Sequence, residues 1–307
     1  MKTSLFALFL FFVLSGCSSS SKKQSDASGL VSSNELDSIK NEDFRPDREI
    51  PYDGKSDHFN ELVNTTDSLA KESAARLPDP KLDILQGVED PIAKGIALCY
   101  QKKFDAAYAI FDAAYSKYKS HPSYWNQLGS CYYVQGNLKM ALLFYNKSRG
   151  IDDKYAPPVN NLGVLYQKNG KDQKAFLAYK KAAEMNATAL TPVFNLAQLY
   201  LKYGFVTEAN NLYASLLKVN NTDVDVLAGL ATAQLFLGKT EKALGIFQTI
   251  NPSNLWRADI SLNYAVALKF MGKNDDAEKV FAKVDSGKLS DLTNYYKKVK
   301  KFMEGKE

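Results

Sequence analysis

The chain runs to 307 residues with a formal net charge of +5, and the charge is unevenly held. Residues 18–80 carry 13 acidic and 8 basic side chains, whereas residues 81–307 carry 21 and 30, so an acidic leader precedes a basic body. Two histidines and three cysteines, with no Cys-x-x-Cys and no paired-histidine spacing, offer no metal-ligand set. No G-x-S-x-G, H-E-x-x-H or P-loop string supplies catalytic machinery, so neither an enzyme nor a cofactor is expected.

Taken in chain order, Lys2 is followed by a ten-residue apolar run from Leu5 to Leu14 and then by Leu14-Ser15-Gly16-Cys17. Ten residues cannot span a bilayer. A charged start, a short apolar core and small residues describe a secretory signal over residues 1–16. Leu14 to Cys17 resembles a bacterial lipobox. The resemblance implies cleavage before Cys17 and lipidation of its thiol, and several acyl chains form a stable anchor at about 0.8 kcal/mol per buried CH₂. Ser18 in place of aspartate implies, by the enterobacterial sorting rule, an outer-membrane lipoprotein whose body faces the periplasm.

Residues 17–56 are rich in serine and charge and read as a lipidated N-terminus and a disordered acidic tether. A flexible segment of that size reaches roughly 35 Å. Residues 57–87 permit short helical segments through Phe59, Leu62, Val63, Leu69 and Leu77.

A 34-residue period then governs the chain. Gly136, Gly170, Gly204, Gly238 and Gly272 fall 34 positions apart, as do Ala107, Ala141, Ala175, Ala209, Ala243 and Ala277. An aromatic follows each alanine by four, at Phe111, Tyr145, Tyr179, Tyr213, Phe247 and Phe281. Units of 88–121, 122–155, 156–189, 190–223, 224–257 and 258–291 each read as two amphipathic helices joined by a turn. The glycine ends the first helix in a left-handed conformation, except in the first unit, where Lys102 stands. Position 8 is Gly95, Gly129, Gly163, Ala197, Ala231 or Ala265, small enough for paired helices to approach. Aromatics at positions 11 and 24, such as Tyr132 with Tyr145 and Tyr166 with Tyr179, are expected to fill the gap between pairs. Pro122, Pro157, Pro158 and Pro192 open helices. Residues 290–307 read as a capping helix, Ser290 to Met303, with Leu292, Tyr295, Tyr296, Val299 and Phe302 apolar, and a basic tail.

Trp125, Leu128, Gly129, Tyr132, Ala141 and Tyr145 within one unit resemble the signature of the tetratricopeptide repeat. The fold class this implies is all-α, a right-handed solenoid of six helix-turn-helix repeats with a C-terminal capping helix. The family's late proline is absent throughout. In that family the first helices line a concave groove through positions 2, 5, 6, 9, 12 and 13. Position 6 here gives Gln127, Asn161, Asn195 and Asn263, broken by Gly229, an amide row able to bond an extended backbone or merely to suit the helix's polar side. Beside it stand Asn126, Asn160, Tyr133, Lys168, Gln198, Lys202, Phe236, Lys269 and Phe270, a groove suited to a segment with acidic and apolar anchors. The family's carboxylate clamp does not carry over, because Ile92 and Ile96 occupy its polar positions.

Cys99 and Cys131 lie in adjacent first helices and could be neighbours. Export permits a disulfide between them, although both sit in apolar stretches where cysteine serves as a small hydrophobe, and that reading is favoured here. His58 lies in the leader and His121 between repeats, neither with a visible partner. Lys297, Lys298, Lys300 and Lys301 form a solvated helix face or an anionic-surface contact.

The expected function is a non-catalytic protein-binding scaffold or assembly factor anchored in the bacterial envelope, serving a pilus, gliding-motility or secretion complex. In architecture it resembles the type IV pilus pilotins. The alternatives are an adaptor recruiting peptidoglycan hydrolases or proteases, and a glycan- or lipid-binding envelope protein. Partners are envelope proteins and, through the lipid, the membrane. Nucleic acid is not expected after export, and homo-oligomers are left open.

Overall fold

The computed structural model describes residues 90–289 and 292–306. The expected signal sequence, Cys17, the expected tether, the 57–87 segment and His58 lie outside the described residues. Among those described, fourteen α-helices and one 3₁₀ turn occur and no strand. The helices fall into two compact units, 90–196 and 197–306, each taken by itself.

In the first unit α1 (Pro91–Tyr100) packs on α2 (Phe104–Tyr118), α3 (Pro122–Gln135) on α4 (Leu138–Ile151), and α5 (Pro157–Lys168) on α6 (Asp172–Met185). Neighbouring pairs meet through α1 with α3, α4 with α5, and α3 with α5. α7 (Leu190–Lys202) begins in this unit and ends in the second. The small residue at position 8 has a geometric cause. A Cβ added at Gly163 would lie 2.7 Å from the Tyr179 ring, and one at Gly129 2.8 Å from Tyr145, below any real contact. The position-24 aromatic therefore lies flat on a glycine of its own pair, and Phe111, Tyr145 and Tyr179 are all buried.

Tyr132, at position 11, fills the gap between pairs as expected, whereas the position-24 aromatic packs within its own pair. Tyr132 stacks on Tyr108 at 4.9 Å and on Phe144 at 5.3 Å rather than against Tyr145, whose hydroxyl turns inward to donate to Ser130 Oγ at 3.2 Å. Trp125 stacks on Phe144 at 5.7 Å, so an aromatic ladder follows the seam between the first two pairs.

In the second unit α8 (Val206–Val219) packs on α9 (Val224–Phe236), α9 on α10 (Thr240–Thr249), and α12 (Ala258–Phe270) on α10, on α13 (Asn274–Ala282) and on α14 (Thr293–Met303). A four-residue helix, α11 (Pro252–Leu255), was not expected. It arises because Pro252 cannot continue α10 and disfavours helix at the residue before it. Asn251 then caps the new start by accepting from the Ser253 N–H at 3.0 Å. The proline shortens α10 to 10 residues, where α4, α6 and α8 have 14.

Each turn glycine is left-handed, from φ 71° at Gly170 to 89° at Gly136. Lys102 takes the same place at φ 60° with a side chain attached. Pro122, Pro157 and Pro158 open helices as expected, whereas α7 starts at Leu190, two residues before Pro192. α14 starts at Thr293, later than Ser290, and buries Met303 beside Tyr295 and Val299. It ends as the first helices do: Gly305 is left-handed at φ 65°, and the Lys306 N–H donates to Lys301 O as the Lys273 N–H does to Leu268 O.

Cys99 and Cys131 are joined in a disulfide, with Cα atoms 5.2 Å apart. The favoured reading of two small hydrophobes is thereby corrected. Both sites are apolar and fully buried, and α1 and α3 lie close enough for the sulfurs to meet.

Candidate concave interface

The first helices supply the expected groove positions, and in the first unit they do not present an open row of amides. Asn126, Gln127, Asn160, Asn161 and Asn195 are all buried. Asn161 Nδ2 donates to Asn126 Oδ1 at 3.1 Å, Asn160 Nδ2 to Asn161 Oδ1 at 3.2 Å, and Asn195 Nδ2 to Asn160 Oδ1 at 2.9 Å. Position 6 of one repeat thus bonds back to position 5 of the repeat before it. The two ladder residues of repeat three, Asn160 and Asn161, are joined to each other. Each such bond between buried amides contributes about 0.5–1.5 kcal/mol net.

The chemistry of the flanking residues sets where this ladder stops. Position 5 of the first repeat is Ile92, with no acceptor to offer Gln127, and position 5 of the fourth is Phe194. Gly229 breaks the row for a steric reason, because a Cβ there would lie 2.4 Å from the Tyr213 ring. The pairing follows a register between repeats rather than the period itself. Asn126 with Asn161 and Asn160 with Asn195 are both 35 residues apart, one more than the period.

Outside the ladder the first-helix wall of the second and third repeats remains accessible at positions 12 and 13. Tyr133 is half-buried and Lys168 exposed. The ammonium of Lys168 sits over the Tyr133 ring, 5.1 Å from its centroid, a cation–π contact. Burial pushes the Tyr133 hydroxyl up to about 12, so it is a neutral hydrogen-bonding group at physiological pH. Gln167 beside them accepts from Tyr179 Oη at 2.7 Å and is thereby held in place by the second helix.

In the second unit Gln198, Lys202 and Phe236 are half-buried. Asn263, Lys269 and Phe270 are brought together, but by α14. Tyr295 Oη donates to Asn263 Oδ1, Lys269 Nζ donates to Met303 O at 3.0 Å, and Phe270 packs on Phe302 at 4.9 Å. Asn263 Nδ2 also donates to Thr232 Oγ1 at 3.2 Å. These three residues, expected to meet a partner, instead hold the capping helix. The reason is that α14 turns its apolar side chains onto the concave positions of the sixth repeat.

A charged cluster escaped the sequence reading. Arg257 Nη2 donates to Asp225 Oδ1 and to Asp259 Oδ2, both at 2.6 Å. Burial opposes the guanidinium charge, but Asp259 and Asp225 outweigh it and hold its pKa above the ordinary value. The available signal was an aspartate at position 2 of two successive units, Asp225 and Asp259, with an arginine just before the second. His121 is likewise corrected: its Nδ1 lies 2.7 Å from Ser123 Oγ.

Helix pairs of constant period, with small residues where paired helices touch and a first-helix wall along one side, define an α-helical repeat protein of the kind that binds other proteins. The tetratricopeptide repeat family model matches residues 93–284, and the chain belongs to that family. No curated protein matches it in sequence. Among solved structures it is similar to pilF of Pseudomonas aeruginosa, at 16% identity and a TM-score of 0.57, covering 70% of this chain and 96% of that one. It is also similar to a chain of the APC/C hetero-tetramer Cut9–Hcn1, at 16% identity and a TM-score of 0.56, covering 72% of this chain. This chain spans about half, 48%, of the length of that one. At such identities the likeness shows the fold alone. The tetratricopeptide fold marks the chain as a scaffold for protein–protein interaction.

Proposed function

We propose that the chain is a non-catalytic assembly scaffold of the bacterial envelope, anchored through lipidated Cys17, that holds a segment of a partner protein against the concave wall of its first unit. One observation carries the binding part of this reading. Positions 2, 5, 6 and 9 of the second and third repeats are buried, while Tyr133 and Lys168, from adjacent repeats, stand accessible as a ring and a cation in contact. A hydrophobic or aromatic anchor beside a carboxylate fits that pair: the ring packs the first and the ammonium pairs with the second. The buried ladder beneath would supply rigidity rather than hydrogen bonds to the ligand. The lipobox string from Leu14 to Cys17 and the short apolar run before it support the anchor and the outer-membrane, periplasm-facing placement. The likeness to pilF supports the repeat fold on which this reading rests and does not choose the client.

The test pairs two variants. Tyr133→Ala with Lys168→Glu is expected to lose the partner recovered by affinity capture from solubilised envelopes while keeping its helical content. Cys17→Ser is expected to leave the envelope fraction. Undiminished capture by the folded double variant would refute the concave site, and envelope retention of Cys17→Ser would refute the anchor.

A further inference from the structure

We propose that the Cys99–Cys131 disulfide is the clasp of the N-terminal repeat, without which α1 and α2 open while the rest of the chain stays folded. The bond joins position 12 of the first repeat to position 10 of the second, across the first helices of neighbouring pairs, and closes a loop of 32 residues that contains all of α2. It holds the repeat whose first helix is the shortest of the described first helices. α1 has 10 residues against 14 in α3 and 13 in α9 and α12. Its turn carries Lys102 at φ 60° in place of glycine, a conformation that L side chains resist. The amide ladder that ties later repeats together begins only at Asn126, because Ile92 offers nothing to bond. Among the described residues the first repeat meets one neighbouring pair, through α1 and α2 with α3, and the Tyr108–Tyr132 and Phe111–Tyr124 ring contacts share that interface. The disulfide is the covalent part of it.

Both sulfurs are fully buried, so a reductant reaches them only after the repeat has opened, and the bond behaves as a structural one. Its formation needs an oxidant. The two thiols give up two protons and two electrons to a disulfide oxidant, which is released as the dithiol. This rests on the exported location proposed above, where such oxidants are found. Folding in a reducing compartment would leave the first repeat open and, with it, the edge of the wall that borders Tyr133.

Two measurements separate the clasp from the compartment. In the first, hydrogen exchange is followed on the full chain in oxidised form, in reduced form, and as Cys99→Ala with Cys131→Ala. Amides of residues 91–118 are expected to exchange roughly two to three orders of magnitude faster in both thiol-free and reduced forms, the effect of releasing a loop of this length. Those of α9 and α12 are expected to be unchanged. Equal protection in all three forms would overturn the clasp, as would loss of protection throughout the chain. In the second, protein taken from its own cells without reductant is denatured and alkylated. Protection of Cys99 and Cys131 from alkylation until reductant is added is the expected result. Immediate alkylation of both would overturn the exported, oxidised state while leaving the first measurement to decide the clasp.

Discussion

At Lys102 the backbone is left-handed with a lysine side chain in place of a hydrogen, the one described non-glycine residue with positive φ. The conformation costs roughly 1–2 kcal/mol for an L residue, and a glycine there would recover part of it while losing some to unfolded-chain entropy. Lys102→Gly is therefore expected to stabilise the chain by about 0.5–1 kcal/mol, read as a higher urea midpoint; a lower one would show that the side chain makes a contact worth more than the strain. Gly163 and Gly150 make the opposite pair. An added Cβ at Gly163 strikes the buried Tyr179 ring at 2.7 Å, whereas at Gly150, inside α4, it meets nothing within 4 Å. Gly163→Ala should cost about 1–3 kcal/mol through overpacking, and Gly150→Ala should gain about 0.5–1 kcal/mol through helix propensity. Equal effects from the two would mean that the ring is free to move aside.

Among the elements, the asparagine ladder and α14 decide what the concave wall can offer. Asn160 stands at the centre of the ladder, accepting from Asn195 and donating to Asn161. Asn160→Ala leaves one buried donor and one buried acceptor without partners and is expected to cost about 1–3 kcal/mol. Asn126→Ala removes one end only and should cost less; the reverse order in urea unfolding would contradict the ladder. The helices, their turns and the small position-8 residues were legible in the sequence because each follows from local periodicity or from a glycine that only one backbone conformation requires. The ladder was half legible: the asparagines stood out at position 6, but their partners lie at position 5 one repeat earlier, a register between units that periodicity alone does not reveal. Asn263, Lys269 and Phe270 were misread because their occupant, α14, comes from the end of the chain, and nothing local announces which face of a helix a later segment will take. The lysines of α14 show the same logic from the other side. Tyr295, Val299 and Met303 are buried, and Lys297, Lys300 and Lys301 are left exposed, as a solvent-facing end cap requires.

For the molecule as a whole, buried tyrosines set an alkaline limit. Burial raises Tyr133 and Tyr124 to about 12, and pushes Tyr100, Tyr145, Tyr179 and Tyr295 higher still. In the unfolded chain a tyrosine releases its proton near pH ~10. The folded state therefore binds more protons above that pH, so the stability from these groups is complete below pH ~10 and is lost as pH rises toward 12. The urea midpoint should fall steadily over that interval, with the tyrosinate absorbance of the buried rings appearing together with unfolding. Complete tyrosinate absorbance well before any loss of helix would show the buried hydroxyls to be in contact with water. The central claim, that an envelope-anchored repeat protein engages a partner protein along the concave wall of its first unit, is tested most directly by site-specific photo-crosslinking in intact envelopes. A photoreactive side chain in place of Tyr133 is predicted to give one discrete protein adduct. The same group in place of Leu177, exposed on the second helix of the third repeat, is predicted to give none, and the first adduct should vanish with Cys17→Ser. An adduct at 177 with none at 133 would contradict the account.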